Sequence, residues 1–211
     1  MSPGGTSPPP VDPSRPPGAC EHAPAPDAVR ADPGASYERA RAAPPVDEHE
    51  RAVVSAQLGR PARGNPAVVH RCVFGLPTVV RVDPRLEDGT PFPTTFWLTC
   101  PVMRSRVGTL EADHAMVGLN ERLGGDEEFA AQYRAAHERY VAFRDGLDEP
   151  LPGAPGAGGM PGHVKCLHTH AAHHLATGDN PVGAWTVERA TPAPCAGPCV
   201  DEGDIDAWRG R

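Results

Sequence analysis

The 211-residue chain has a single lysine, Lys165, few aromatic residues (5%), and no C-x-x-C pair, glycine-rich phosphate loop or recognisable catalytic triad. Nor does any apolar run approach the ~20 residues that span a bilayer. Met1 to Pro10 lacks the charged-then-apolar layout of a secretion signal, so the expectation is a cytoplasmic protein without a membrane partner. The net charge of −7 argues against a surface that wraps nucleic acid. Since Lys165 is the one lysine among 20 basic residues, the rest are arginine, a bias that fits a GC-rich coding sequence and points to no function.

Proline and glycine, by contrast, are abundant. Together the 27 Pro and 23 Gly approach a quarter of the chain, so much of it is expected to lie outside a packed core. Residues 1–45 hold 12 of the prolines and one aromatic, Tyr37, and read as a disordered tail. Within it, Ser36 to Ala43 offers no more than a transient helical turn closed by Pro44-Pro45. A single α+β domain is expected over 46–190, with a flexible tail at 191–211.

Inside that domain, Asp47 opens a helix that Gly59 and Pro61 end. Thr78 to Val82 and Thr94 to Thr99 are short, β-branched or aromatic, and separated by a Pro/Gly/Asp-rich connection, the pattern of two antiparallel strands. Apolar residues over 105–123 predict one helix. Asp126 caps another, along which Phe129, Tyr133, Ala136, Tyr140, Phe143 and Leu147 recur at four- and three-residue steps. A linker over 149–162 precedes a helix carrying Val164, Leu167, Ala171 and Leu175. The expected fold is therefore a small antiparallel sheet packed with three to four helices.

The chemistry concentrates between 163 and 174, where five of the ten histidines lie around Cys166. On a helix, Cys166, His170 and His173 would share a face; Cys166 and His168 would meet only if the helix began just after Cys166. Either arrangement suits zinc, which takes thiolate and imidazole ligands tetrahedrally. The hairpin reading brings Leu76 towards Cys100 and leaves Cys72 and His70 just beyond. Cys72, Cys100, Cys166 and His168 are thus the first-choice metal ligands, with His173 as substitute or support; an iron–sulfur cluster is the alternative cofactor. His170 and His174 read individually as solvated. Cys195 and Cys199 could close a small disulfide or add ligands, and Cys20 has no context. Arg71, Arg81, Arg85 and Arg104 make a weak anion-site candidate. Two competing functions stand beside metal binding. One is a metal-free protein-interaction module using the 126–147 helix. The other is a thiol enzyme in which Lys165, His168 and a helix N-terminus activate Cys166.

Several stretches together resemble the actinobacterial domain-of-unknown-function family 501. They are Arg71-Cys72-x-Phe-Gly-Leu-Pro77, Asp83-Pro-Arg-Leu-x-Asp-Gly-Thr-Pro-Phe-Pro-Thr94, Leu98-Thr-Cys-Pro101, Ala130 to Tyr140, Gly159-Met-Pro161 and Val164-Lys-Cys-Leu-His168. The resemblance covers about 46–185. It implies counterparts of Cys72, Cys100, Cys166, His168 and His173, with an apolar residue more usual at His170. It assigns no activity.

Overall fold

A computed structural model describes residues 32–153, 155–191 and 195–210. Eight helices and a three-stranded sheet follow in the order α1 (Pro33–Ala42), α2 (Glu48–Leu58), β1 (Ala67–Arg71), β2 (Pro77–Arg81), β3 (Phe96–Leu98), α3 (Pro101–Ala112), α4 (Ala115–Gly125), α5 (Glu127–Asp145), α6 (Leu167–Thr177), α7 (Pro181–Ala190) and α8 (Glu202–Asp206). The fold is α+β with an antiparallel sheet, as the strand and helix patterns predict. No helix among the described residues is long and apolar enough to cross a membrane.

The sheet order is β1-β2-β3, with both pairings antiparallel. Val79 faces Leu98 and Arg81 faces Phe96 across the β2–β3 pair. Every residue of the central strand β2 is buried because both faces of the sheet are covered. Val79 joins the main core with α5 and α6, while Val80 and Val82 turn the other way onto Val54 of α2. That is the period-two alternation of a strand sandwiched between helices.

Helix α6 lies at the centre of the main core. Leu167, His170, Ala171, Ala172 and His173 are all fully buried. It packs closely on α7 because Gly183 has no side chain; a Cβ there would collide with the His170 carbonyl and the His174 Cβ. The periodic face of α5, from Phe129 through Tyr133, Ala136 and Tyr140 to Phe143, is also buried in this core. That face is therefore spent on the domain itself and offers no docking stripe.

Several elements depart from the sequence reading, which predicts neither β1 nor α7. The stretch over 105–123 is two helices, because His114 adopts left-handed backbone (φ 60°) between α3 and α4. The segment before residue 46 is partly structured. Asp32 caps α1 by accepting the Gly34 N–H at 3.1 Å, and Tyr37 and Ala40 are buried in the main core. At the other end, α8 packs on α2 through Val200 and Ile205 against Ala52 and Val53. Residues 1–31 of the expected N-terminal tail, and 192–194 and 211 of the C-terminal one, lie outside the described residues.

Candidate functional site

Helix α6 begins at Leu167 with Cys166 as its N-cap residue in extended backbone. This is the one arrangement that lets Cys166 and His168 face the same point. Opposite stands the far end of α3. Glu111 and Arg104 are two helical turns apart on it, so a carboxylate and a main-chain carbonyl both reach the start of α6. One Glu111 oxygen, Oε1, accepts the Leu167 N–H at 2.6 Å and lies 3.2 Å from His168 Nδ1. It thereby satisfies one of the N–H groups that every helix start leaves open. The His168 Nε2–H donates to the Arg104 carbonyl at 3.0 Å. With Nε2 so engaged, Nδ1 is the nitrogen presented to Glu111 and Cys166.

Ligand atoms of Glu111, Cys166 and His168 lie within 4.8 Å of one another, all half-buried. Among the described residues no other group of three or more Cys, His, Asp or Glu comes this close. The electrostatics of the pair are matched. The Cys166 hydrogen bond raises His168 from its usual 6.5 to about 9 against the opposing effect of burial, with the Arg104 carbonyl and Glu111 adding to the rise. Burial pushes the Cys166 thiol up, but His168 and Thr169 outweigh it and the net shift is downward. Each group thus shifts the other towards its charged form, at the positive end of a helix.

The remaining candidate ligands are elsewhere. Cys72 forms the β1–β2 turn, its N–H donating to the Leu76 carbonyl at 2.9 Å. Cys100 caps α3, its sulfur accepting the Met103 N–H at 3.5 Å. Both sit at the same end of the sheet, but β1 and β3 flank β2 on opposite sides. Two strand spacings, about 10 Å, separate the strands that carry them. The β2–β3 hairpin forms as expected, with β1 on the far side of β2. Cys100 instead neighbours Cys199: the Pro77 carbonyl that accepts the Thr99 hydroxyl at 3.1 Å also accepts the Gln57 amide, which reaches Cys199 Sγ at 3.5 Å. Cys199 is a thiol, so it closes no disulfide with Cys195, which is itself disulfide-bonded.

His173 belongs to a buried network rather than to the Cys166 group. Asn180 caps α7, its Oδ1 accepting the Gly183 N–H at 2.8 Å, which turns its amide towards the two inner histidines. Nδ2 donates to His173 Nδ1 at 3.0 Å and to His170 Nδ1 at 3.2 Å. Both rings therefore carry their proton on Nε2. From there His173 donates to the Tyr37 oxygen at 2.5 Å, and Tyr37 donates onward to Asp179 at 3.2 Å. His170 Nε2 lies 3.1 Å from both the Gly158 carbonyl and the Tyr133 oxygen, and the Tyr133 hydroxyl donates to the His163 carbonyl. Burial holds His170 down at about 4 and His173 well below the usual range, so both are neutral. His170 is thus a core residue and not a solvated one. Neither ring of this inner pair has a nitrogen to spare for a metal.

The four arginines considered as an anion site are dispersed among separate partners: Arg71 on Glu50, Arg81 beside Asp83, Arg85 beside Glu149, and Arg104 on the Gln57 carbonyl.

Residues 68–188 match the family described as "Protein of unknown function (DUF501)". The chain belongs to the DUF501 family. The matched span contains Glu111, Cys166 and His168 and all of the sheet except Ala67, whereas α1, α2 and α8 lie outside it. Comparison with curated proteins and with solved structures finds no match. Glu111 is the member of the Cys166 group that the sequence does not single out. It lies 55 positions before Cys166 on a helix otherwise notable for its apolar residues, and only the packing of α3 against α6 makes it part of the site.

Proposed function

We propose that this domain binds a divalent metal ion of borderline softness, zinc in the first place, through Glu111, Cys166 and His168. The observation that carries the proposal is the convergence of three chemically different donors from two helices on one half-buried point. Bond lengths of 2.0 to 2.3 Å to a tetrahedral ion put its donors roughly 3.3 to 3.8 Å apart. The 3.2 Å between Glu111 Oε1 and His168 Nδ1 is close to that spacing. The His168-to-Arg104 bond supplies the carbonyl support that ligating histidines usually have on their second nitrogen. Three protein donors leave a coordination position for an exchangeable ligand, which is the pattern of catalytic rather than purely structural zinc. A single thiolate suits an iron–sulfur cluster poorly, since those clusters are held mainly by several cysteines.

Elemental analysis of untagged protein, repeated on Cys166→Ser and His168→Ala, tests this. Stoichiometric zinc in the parent and its loss in both variants is the expected result. A folded parent that neither carries zinc nor takes it up when supplied would end the proposal.

One observation favours a second reading of the same residues. The Cys166–His168 pair, with Glu111 against the ring, is also the arrangement of an activated cysteine nucleophile, oriented base included. The two readings separate on alkylation at neutral pH. A nucleophile modifies rapidly in the chelator-treated and zinc-supplied protein alike, whereas a metal ligand is protected by the ion.

A further inference from the structure

The thiols of Cys100 and Cys199 are unused by the site above, yet these residues, 99 positions apart in sequence, are brought together where the Gln57 amide bridges Cys199 Sγ and the Pro77 carbonyl that also accepts the Thr99 hydroxyl. Three elements set this up. Cys100 caps α3 and is almost completely buried. Cys199 precedes α8, and Val200 and Ile205 dock that segment onto α2. Gln57, in the last turn of α2, donates one amide N–H to the Pro77 carbonyl at 2.8 Å and another to Cys199 Sγ at 3.5 Å. Cys199 is only half-buried, so one sulfur of the pair is accessible and the other lies behind it.

We propose that Cys100 and Cys199 form a redox-active dithiol that exchanges with low-molecular-weight disulfides, Cys199 attacking and Cys100 resolving. The contact itself supports these roles. Interaction with Cys100 brings Cys199 down to about 6 despite its partial burial, while the same interaction and burial push Cys100 upward. In the first step the Cys199 thiolate attacks one sulfur of R–S–S–R. A Cys199–S–S–R bond forms, and RS⁻ leaves and takes a proton from water. Cys100 then loses its proton to water and attacks the Cys199 sulfur, which releases the second RS⁻. Two protein thiols are oxidised to one disulfide, and one small disulfide is reduced to two thiols. The product ties the segment carrying α8 to the start of α3, closing a loop of about 100 residues that constrains the unfolded chain. This inference is independent of the metal proposal and would survive its failure.

The test uses the full chain, reduced and desalted, then treated with oxidised glutathione, quenched with acid and mapped by peptide mass spectrometry. The expected product is a linked Cys100–Cys199 peptide pair lighter by two hydrogen atoms and restored by dithiothreitol. Cys100→Ser keeps a capping side chain on α3 and should trap glutathione on Cys199, because the resolving sulfur is gone. Cys199→Ser should abolish the link and slow glutathione uptake at position 100 by about tenfold or more. Glutathione that stays on Cys199 in the parent without resolving would overturn the proposal, as would a link from Cys199 to any other cysteine. Should Cys100→Ser fail to fold, the parent and Cys199→Ser decide the matter.

Discussion

His168 and His173 stand five residues apart on the same helix and end in opposite protonation states. At the first turn of α6, His168 is partly open to water, and a thiol, a carboxylate and a carbonyl all stabilise its cationic form. Further in, His170 and His173 are wholly buried, and their close polar partners among the described residues are an amide that needs an acceptor and oxygens that need one proton per ring. Residue type therefore decides little here. Depth, and whether the neighbours want a donor or an acceptor, decide whether a histidine serves chemistry or architecture. In this domain the interior pair fixes α6 in place so that the exposed end can hold Glu111, Cys166 and His168 in register.

The sharpest way to break that contrast is Asn180→Ala. Its amide is the shared donor to both inner rings and its oxygen caps α7. Leaving buried imidazole acceptors unpaired costs about 1–3 kcal/mol each, and a lost cap adds about 1 kcal/mol. A total loss of about 3–7 kcal/mol is expected in urea unfolding. Glu111→Gln should cost no more than about 1 kcal/mol, because its partners remain close to water. Equal losses would show that the outer cluster is as structural as the inner network.

Acid should separate the two regions next. His170 titrates near 4 in the folded chain against 6.5 for an ordinary histidine, so below 6.5 the unfolded chain binds the extra proton. Stability must then fall as pH drops from 6.5 to 4, by up to about 3 kcal/mol from this residue. His168 has the reverse sign. Its contribution is fully present below 6.5 and is lost as pH rises through about 9. Urea midpoints recorded from pH 4 to 9.5 in chelator-treated protein check both arms. A flat acid arm would mean that the inner histidines are not held neutral.

Legibility from sequence followed the same division. Cys166 and His168 are neighbours in the chain, and the requirement that their helix start after Cys166 could be stated from spacing alone. The β2 and β3 strands and the α5 stripe were legible because period two and period 3.6 are local properties. Glu111, Asn180 and Tyr133 were not, since each acquires its role only through packing between residues 7 to 57 positions apart. His114 shows a subtler failure: apolar periodicity ran through it unbroken, and nothing short of its left-handed backbone marks the end of α3. β1 was not legible because Ala67 to Arg71 shows no period-two alternation and pairs irregularly with β2, its register shifting on both sides of His70. In α1 one aromatic residue, Tyr37, anchors a segment whose proline content suggests disorder.

Tyr37 offers a milder perturbation of the inner network from outside the family-matched span. Tyr37→Phe removes the acceptor for His173 Nε2 and the donor to Asp179 while keeping the ring against Phe143. A loss of about 1–2 kcal/mol is expected in urea unfolding, less than for Asn180→Ala because one ring rather than two loses its partner. Hydrogen exchange in α1 should quicken. An unchanged unfolding midpoint would mean that α1 rests on the core without contributing to it.

The smallest effect falls on the outer pair alone. The hydrogen bond to Cys166 is the largest influence raising His168, ahead of the Arg104 carbonyl and Glu111. In metal-free Cys166→Ser that largest influence is withdrawn, so His168 should titrate below about 9, with the Arg104 carbonyl and Glu111 still raising it against burial. His170 should still titrate near 4, because nothing in its shell of Asn180, Gly158 and Tyr133 has changed. Imidazole NMR titrations of parent and variant follow both rings in one experiment. A His170 that moved along with His168 would mean that the two ends of α6 are electrostatically one site, and the separation of chemistry from architecture along this helix would fail.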